Sequence, residues 1–362
     1  MTNSLKHIFP GGNTSRGFYS FFRFILSQEE ANRIICLKGG PGTGKSTLMK
    51  KVGTYFFDKG YNVEFYHCSS DNDSLDGVVI KELKVAIIDG TAPHVVDPVT
   101  PGAIDEIVNL GQCWNEQGMV EDRKAIATLS KDISKCFKRT YRYFGSAKNI
   151  LDEWSTFNSE ALSYSKINLL KEELKNKILN DKAITTLGYD KHLFSTAFTP
   201  NGIINYTDSL LCDIDHVYVL NGGPSLGQTD ILKYLGDEAL RRGFNVEFYH
   251  DPFIPERIEN VFIPDLRVAI LCSNEINQKS FPGVQIYMED FCNKEVLAKY
   301  STEIEETKEL FYLLLNKGLS FLSKAKALHD DMEKYYIGNI NFQGIDKLTN
   351  DLIEKFENYI PQ

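Results

Sequence analysis

The feature that most limits how this chain can fold is a repeat. Leu37-Lys-Gly-Gly-Pro-Gly-Thr-Gly44 returns as Leu220-Asn-Gly-Gly-Pro-Ser-Leu-Gly227. Asn62-Val-Glu-Phe-Tyr-His67 returns unchanged at Asn245–His250, and Lys84-Val-Ala-Ile-Ile88 returns as Arg267-Val-Ala-Ile-Leu271. All three matches share a lag of 183 residues. Fainter echoes widen it: His7-Ile-Phe9 with His192-Leu-Phe194, Pro101-Gly102 with Pro282-Gly283, and Ala147-Lys148 with Ala325-Lys326. Two copies in register mean that one supersecondary plan is used twice. A chain of 362 residues also divides naturally into two domains of ordinary size. The expected units are 1–186 and 187–362, with the boundary near Gly188-Tyr189.

Within each copy the pattern alternates between strand and helix. Arg33–Lys38 is a short apolar run ending at glycine, as a buried parallel strand does. Lys45–Phe57 carries helical spacing and Gly60 stops it. Val63–Tyr66 and Val85–Ile88 read as further strands, whereas from Ile104 onward the first half shows only helical signals. Ile126, Leu129, Ile133, Phe137, Tyr141 and Phe144 begin a stripe that runs to Trp154, the mark of a long amphipathic helix. A shorter helix covers Ile167–Ile178. Ile304–Met332 and Ile345–Phe356 repeat the pair, and core packing explains such stripes before any cofactor does. The expected fold class is α/β: tandem duplicated units, each a small, mainly parallel sheet with flanking helices and a long helical arm.

The chemistry is concentrated in the first copy. Gly39-Gly40-Pro41-Gly42-Thr43-Gly44-Lys45-Ser46 fits GxxxxGK[ST] between a strand and a helix, as the phosphate-binding loop requires. Glycines let successive N–H groups turn inward at a helix N-terminus, making a cradle for anions. Lys45 is expected on the β- and γ-phosphates, the Ser46 hydroxyl on Mg²⁺, and Thr47 near the α-phosphate. The apolar run Val85-Ala-Ile-Ile-Asp89 ends in a carboxylate, the expected second acid of the metal shell, although a turn-forming Asp before Gly90 reads the same way. ATP or another nucleoside triphosphate, with Mg²⁺, is the expected ligand.

Comparing the copies sorts the candidates. Gly39, Gly40, Pro41, Gly44, Asn62 and His67 recur in the second half, so fold alone explains them, and His67 reads as a strand-end hydrogen-bonder. Lys45 is answered by Gln228, Ser46 by Thr229 and Asp89 by Cys272. Glutamine cannot supply the charge, and a thiol suits a hard cation poorly. The second loop therefore keeps the shape of a phosphate site without its charges.

Several residues present only in the first half remain candidates. His67-Cys-Ser-Ser-Asp71 follows a strand whose end faces the ligand crevice, so Ser69, Ser70 and Asp71 stand where a water or acceptor is oriented. Asp71 reads either as a general base or as part of an Asx-type turn. His94 and Asp97 gate the γ-phosphate or belong to a proline-pinned loop. Arg16, answered by Asn201, either reaches a phosphate or is an ordinary surface arginine.

Bulk properties exclude some classes. Met1–Gly12 has no apolar run before its first glycines, and Leu310–Leu322 is broken by Asn316, Lys317 and Gly318. A net charge of −9 argues against a broad nucleic-acid surface without excluding a local basic patch. Seven cysteines with no CxxC pair fit reduced thiols, and a cytoplasmic location is expected.

The strings LKGGPGTGKSTLMKKVG, VEFYHCSSDNDSLDG, VAIIDGTAPHVVDP and PGAIDEIVNLG resemble an uncharacterised, mainly Firmicutes family of ATP-binding proteins with tandem P-loop units. KHLFSTAFTPNGI and the second NVEFYH extend the likeness over nearly the whole chain. The resemblance implies a P-loop NTPase fold and ATP binding at Gly39, Gly44, Lys45, Ser46 and Asp89, and no established substrate. Likeness to AAA-type motors stops at the loop, because Asp89 is followed by Gly90 instead of a water-polarising glutamate. The leading expectation is a switch NTPase with one working site, its halves packed as a pseudo-dimer. The alternatives are a small-molecule or nucleoside kinase with its acceptor near Ser69–Asp71, and a scaffold that ATP only stabilises.

Overall fold

The computed structural model describes residues 3–92, 95–180 and 182–361. The first half contains β1 (Leu5–Ile8), β2 (Gly11–Thr14), β3 (Gly17–Ser20), β4 (Arg33–Lys38), α1 (Lys45–Asp58), β5 (Val63–Cys68), β6 (Asp71–Ile80), β7 (Val85–Asp89) and β8 (Asp105–Asn109), followed by α2 (Glu116–Glu121), α3 (Arg123–Ala161) and α4 (Tyr164–Leu179). The second half contains β9 (Asp190–Leu193), β10 (Thr196–Thr199), β11 (Gly202–Asn205), α5 (Thr207–Leu210), β12 (His216–Asn221), α6 (Gln228–Arg241), β13 (Val246–His250), β14 (Ile258–Ile263), β15 (Val268–Ser273) and β16 (Val284–Tyr287). It ends with α7 (Lys294–Lys299), α8 (Ser301–Ile337) and α9 (Phe342–Glu357). Among the described residues, no helix is long and apolar enough to cross a membrane.

The fold is mixed α/β. One six-stranded sheet runs β1-β5-β6-β7-β4-β8, and the other runs β9-β13-β14-β15-β12-β16, the same order at corresponding places. In each sheet the third strand of that order, β6 or β14, is antiparallel to both neighbours, and the remaining pairings are parallel. Two features depart from the sequence reading. The polar segment after His67, read as an orienting cluster at a strand end or an Asx-type turn, is a short turn that runs on into the unexpected ten-residue β6. Asp105–Asn109, within the stretch expected to be helical, is a strand beside β4. Its alternation of exposed and half-buried residues is that of an edge strand, too short and too polar to announce itself.

Strand alternation decides the layers. Ile34 and Cys36 of β4 face a central apolar cluster, whereas Ile35 and Leu37 face a cluster on the opposite side. The central cluster also receives Val219, Tyr249, Phe262 and Leu271 of the second sheet. The two sheets thus share one apolar layer, with helices outside. Burial on both faces is why β4, β7 and β15 read as continuous apolar runs.

The outer helices are exchanged between halves. Ile345, Leu352 and Phe356 of α9 complete the cluster over α1 and the first sheet. Ile167, Leu170, Leu174 and Ile178 of α4 complete the cluster over α6 and the second sheet. At about 1.5–3 kcal/mol per buried large apolar side chain, each exchanged helix contributes several kcal/mol across the halves. The isolated bridges Trp114↔Ile340 and Leu162↔Cys292 anchor the two exchanges at corresponding places. The expected units 1–186 and 187–362 thus each place their last helix on the other's sheet. Each half completes its neighbour's core.

The long helices α3 and α8 carry the exchange by packing along each other. Thr140 Oγ1 donates to the Gly318 carbonyl at 3.2 Å, and Tyr143 stacks on Phe321 with ring centroids 5.7 Å apart. Each of these pairs joins a residue to its own counterpart, as a two-fold relation demands. Phe9 and Phe194 do the same, exchanging backbone hydrogen bonds of 2.9 and 3.0 Å.

Candidate functional site

Gly39–Gly44 leaves the end of β4 and enters α1, with Gly44 capping the helix at φ 86° and Gly42 at φ 63°. Such backbone is open to glycine at little cost. At Gly39 a Cβ would come 2.9 Å from Thr43 Oγ1, so the loop closes too tightly there for a side chain. Thr43 is buried and donates to the Gly40 carbonyl at 2.8 Å, which makes it a brace. Pro41 is half-buried and Thr47 exposed.

Lys45 lies back over its own loop. Its Nζ donates to the carbonyls of Gly39 (3.0 Å) and Gly40 (2.8 Å) and sits 3.5 Å from Asp89 Oδ2. Ser46 Oγ accepts from the Leu75 N–H at 3.0 Å. Asp89 is buried and accepts from the Thr91 N–H at 2.8 Å, while Thr91 Oγ1 donates to the Gly39 carbonyl at 2.9 Å. The loop, its lysine, its serine and the strand-end acid are thus brought together.

Asp76 was not singled out from sequence. Val78 and Ile80 of β6 face the α1 side, as do Val85 and Ile87 of β7. Gly77 pairs with Ile88, so one step further Asp76 stands opposite Asp89 on that same face. Burial, and after it the charge of Asp89, push the Asp76 carboxyl well above the usual carboxylate range. The signal that could have found it is the alternation Asp76, Val78, Ile80 set against Val85, Ile87, Asp89. Reading the polar start of β6 as a strand end or turn hid that register.

Other candidates fall differently. Asp71 accepts from Ser74 Oγ at 2.8 Å and lies 3.6 Å from Lys326 Nζ of the second half. Ser69 is buried against Asn13, and Ser70 is half-buried. Asp97 pairs with Lys38 at 3.0 Å, and that lysine also donates to the carbonyls of Gly90 and Val96, so the pair pins the loop after β7 to β4. Arg16 turns to Glu256 at 3.1 Å, an exposed ion pair away from the loop. His94 lies outside the described residues. His67 Nδ1 bonds the Asn72 carbonyl, and its Nε2 is 2.8 Å from His7 Nδ1. Burial pushes His67 down to about 4. His250 and His192 repeat the pair, again at 2.8 Å, and burial likewise lowers His250 to about 4.

The second loop keeps the backbone and changes the charges. Gly227 caps α6 at φ 95°, and Gln228 Nε2 donates to the Gly223 carbonyl at 3.0 Å, the pose of Lys45 without its charge. Glu259 stands opposite Cys272 where Asp76 stands opposite Asp89. Arg257 supplies a cation from within the chain, 3.2 Å from Glu275 Oε1 and 3.5 Å from Asp251 Oδ2. Arg257 lines a cavity of about 260 Å³ with Ser225, Gln228 and Thr229. Burial, with Asp251 nearby, pushes Glu259 up to about 8.

Both loops are covered by the other half. Tyr336 and Ile337 at the end of α8 lie against Gly40 and Gly42, and Ile345 of α9 lies against Gly44. Trp154 and Asn158 of α3 lie against Gly223, and Ile167 of α4 against Gly227. The Gly42 N–H donates to Glu333 Oε1 at 3.1 Å.

No curated protein and no solved structure matches this chain. The family model described as Nephrocystin 3, N-terminal, matches residues 20–81, a stretch that holds the first loop, Asp71 and Asp76 and stops short of Asp89.

Proposed function

We propose that the chain is a tandem pair of P-loop units packed as a pseudo-dimer, and that its first loop binds a nucleoside triphosphate with Mg²⁺ and hydrolyses it slowly, as a switch. ATP is the nucleotide we assign. The observation that carries the reading is one lysine and two facing buried carboxylates, Lys45, Asp76 and Asp89, at the mouth of a glycine loop that opens a 14-residue helix. Two buried acids beside one lysine carry surplus negative charge when both ionise, which a hard divalent cation neutralises.

The chain's own groups divide the work. Loop amides of Gly40 and of Gly42 to Lys45 cradle phosphate oxygens at the positive end of α1. Lys45 exchanges the Gly39 and Gly40 carbonyls for phosphate oxygens. Ser46, Asp89 and Asp76 offer the oxygen donors that would hold Mg²⁺, which when bound offsets charge on the phosphates. The cover from α8 and α9 keeps bulk water from the loop, which strengthens every charge interaction inside.

The test is calorimetry with MgATP and MgGTP on the full chain, followed by product analysis with labelled ATP. Magnesium-dependent binding and free phosphate are expected, with binding strongly weakened and phosphate release lost in Lys45→Ala. Absence of nucleotide binding in the unsubstituted protein sinks the proposal. A phosphorylated acceptor in place of free phosphate returns the kinase reading.

A further inference from the structure

The arm that covers the working loop differs from the arm that covers the silent one. Aligned at the lag of 178 residues that relates the arms, Lys326 and Asp330 answer to Lys148 and Asp152, so fold alone explains them. His329 answers to Leu151 and Glu333 to Ser155. These two differing residues are adjacent on one helical face, and the Glu333 carboxylate reaches the loop. Its Oε1 takes the Gly42 N–H at 3.1 Å, and His329 Nδ1 lies 3.7 Å from that same oxygen. A carboxylate oxygen on an inward amide of a phosphate loop has the charge, size and hydrogen-bonding of a phosphate oxygen.

We infer that Glu333 is an internal competitor of the polyphosphate: it holds the Gly42 amide until a triphosphate takes that donor, so the second half sets the affinity of the first half's site. The inference rests on the reading of Gly39–Ser46 as a triphosphate site. Its physical basis is exclusion. One N–H directed into the cradle cannot serve a carboxylate and a phosphate together, and a carboxylate left beside a bound triphosphate would meet like charge. Tyr336 and Ile337, on the next turn of the same helix, pack against Gly40 and Gly42, so releasing Glu333 also loosens the end of α8 from the loop.

The experiment measures dissociation constants of MgATP and of inorganic tripolyphosphate for the full chain, unsubstituted and as Glu333→Ala and Glu333→Gln. Glu333 is half-exposed near a helix end, so neither change threatens the core. Glu333→Ala is expected to bind both ligands about tenfold more tightly, the scale of one charge-assisted hydrogen bond removed from the competitor. Glu333→Gln should fall between, since its amide oxygen still accepts from Gly42 without the charge. Unchanged or weaker binding by Glu333→Ala overturns the inference, as does tightening for MgATP alone, which would place Glu333 at the base. If the unsubstituted chain and Glu333→Ala both ignore the two ligands, the triphosphate reading falls and this inference with it.

Discussion

The two loops share a backbone and differ in charge, and the difference separates what folding requires from what chemistry requires. Both have a left-handed glycine cap, a side chain bonded back to the loop carbonyls, and a cover from the other half's helices. These are solutions to orphaned helix-end groups and tight turns, so both copies keep them. Around the second loop the cation comes from a strand-end segment and not from the loop. Arg257 meets Asp251 and Glu275, Glu259 is held toward its neutral form, and burial keeps the Cys272 thiol protonated. Around the first loop Asp76 and Asp89 face each other beside a single lysine, Lys45. The first loop keeps a cation on the loop itself, whereas the second has only a neutral amide at that position.

The comparison is broken most forcefully at Arg257. Arg257→Leu should cost about 3–5 kcal/mol in urea unfolding, because Asp251 and Glu275 are left buried without a cation. A loss under about 1 kcal/mol would mean that Arg257 does not offset the two buried acids. Next is the lysine position. Lys45→Ala should weaken MgATP binding by about a hundredfold, the scale of charge-assisted hydrogen bonds from one ammonium to phosphate oxygens. Gln228→Ala should leave it unchanged, and an equal effect of the two would erase the asymmetry.

The paired histidines test what the halves have in common. His67 and His250 ordinarily titrate near 6.5 and are held down at about 4 in the fold, so the unfolded chain binds the extra protons between those values. Their contribution is full above pH 6.5 and is lost as pH falls toward 4. The shift sets a ceiling of about 3 kcal/mol per ring, and with water reaching part of each, roughly 1–2 is expected. His67→Asn and His250→Asn should each flatten the acid limb of a stability–pH curve by similar amounts. A response confined to one half would show that the pairs are not equivalent.

The smallest effect separates the acids. Asp76→Asn keeps the shape of a carboxyl already held toward its neutral form and should change ligand-free stability by no more than about 1 kcal/mol in thermal unfolding. The same change should weaken the magnesium dependence of nucleotide binding. Glu259→Gln should change stability by less than about 1 kcal/mol, since that carboxyl is already largely protonated near neutrality. If Asp76→Asn leaves magnesium dependence intact, Asp89 and Ser46 serve the metal without it.

Much of the site was legible because its signals are local. Gly39–Ser46 announces itself through spacing, and Val85–Asp89 through an apolar run ending in an acid. The copy at Gly222–Thr229 exposed the missing charges without any structure. Asp76 and Glu333 were not legible, for different reasons. Asp76 becomes a site residue only through the register of an antiparallel strand whose start looks like a polar loop. Glu333 lies 291 residues from Gly42, and no periodicity in its own helix marks one acid among many on a polar face. Arg257 was hidden likewise, in a segment whose counterpart Ser74 carries no charge.

The sequence by itself determined the duplication, the strand–loop–helix that opens each unit, the long amphipathic arms and the asymmetry between Lys45 and Gln228. All of these are written in spacing along one chain, where backbone geometry acts over a few residues. Only the tertiary structure decided that α4 and α9 change places, that the two sheets share one apolar layer, and that Glu333 reaches Gly42. Apolar stripes on α4 and α9 state that each must be covered, and burial free energy has no direction. Which sheet covers which helix is settled by the pairing of α3 with α8, a contact between halves that no local pattern encodes.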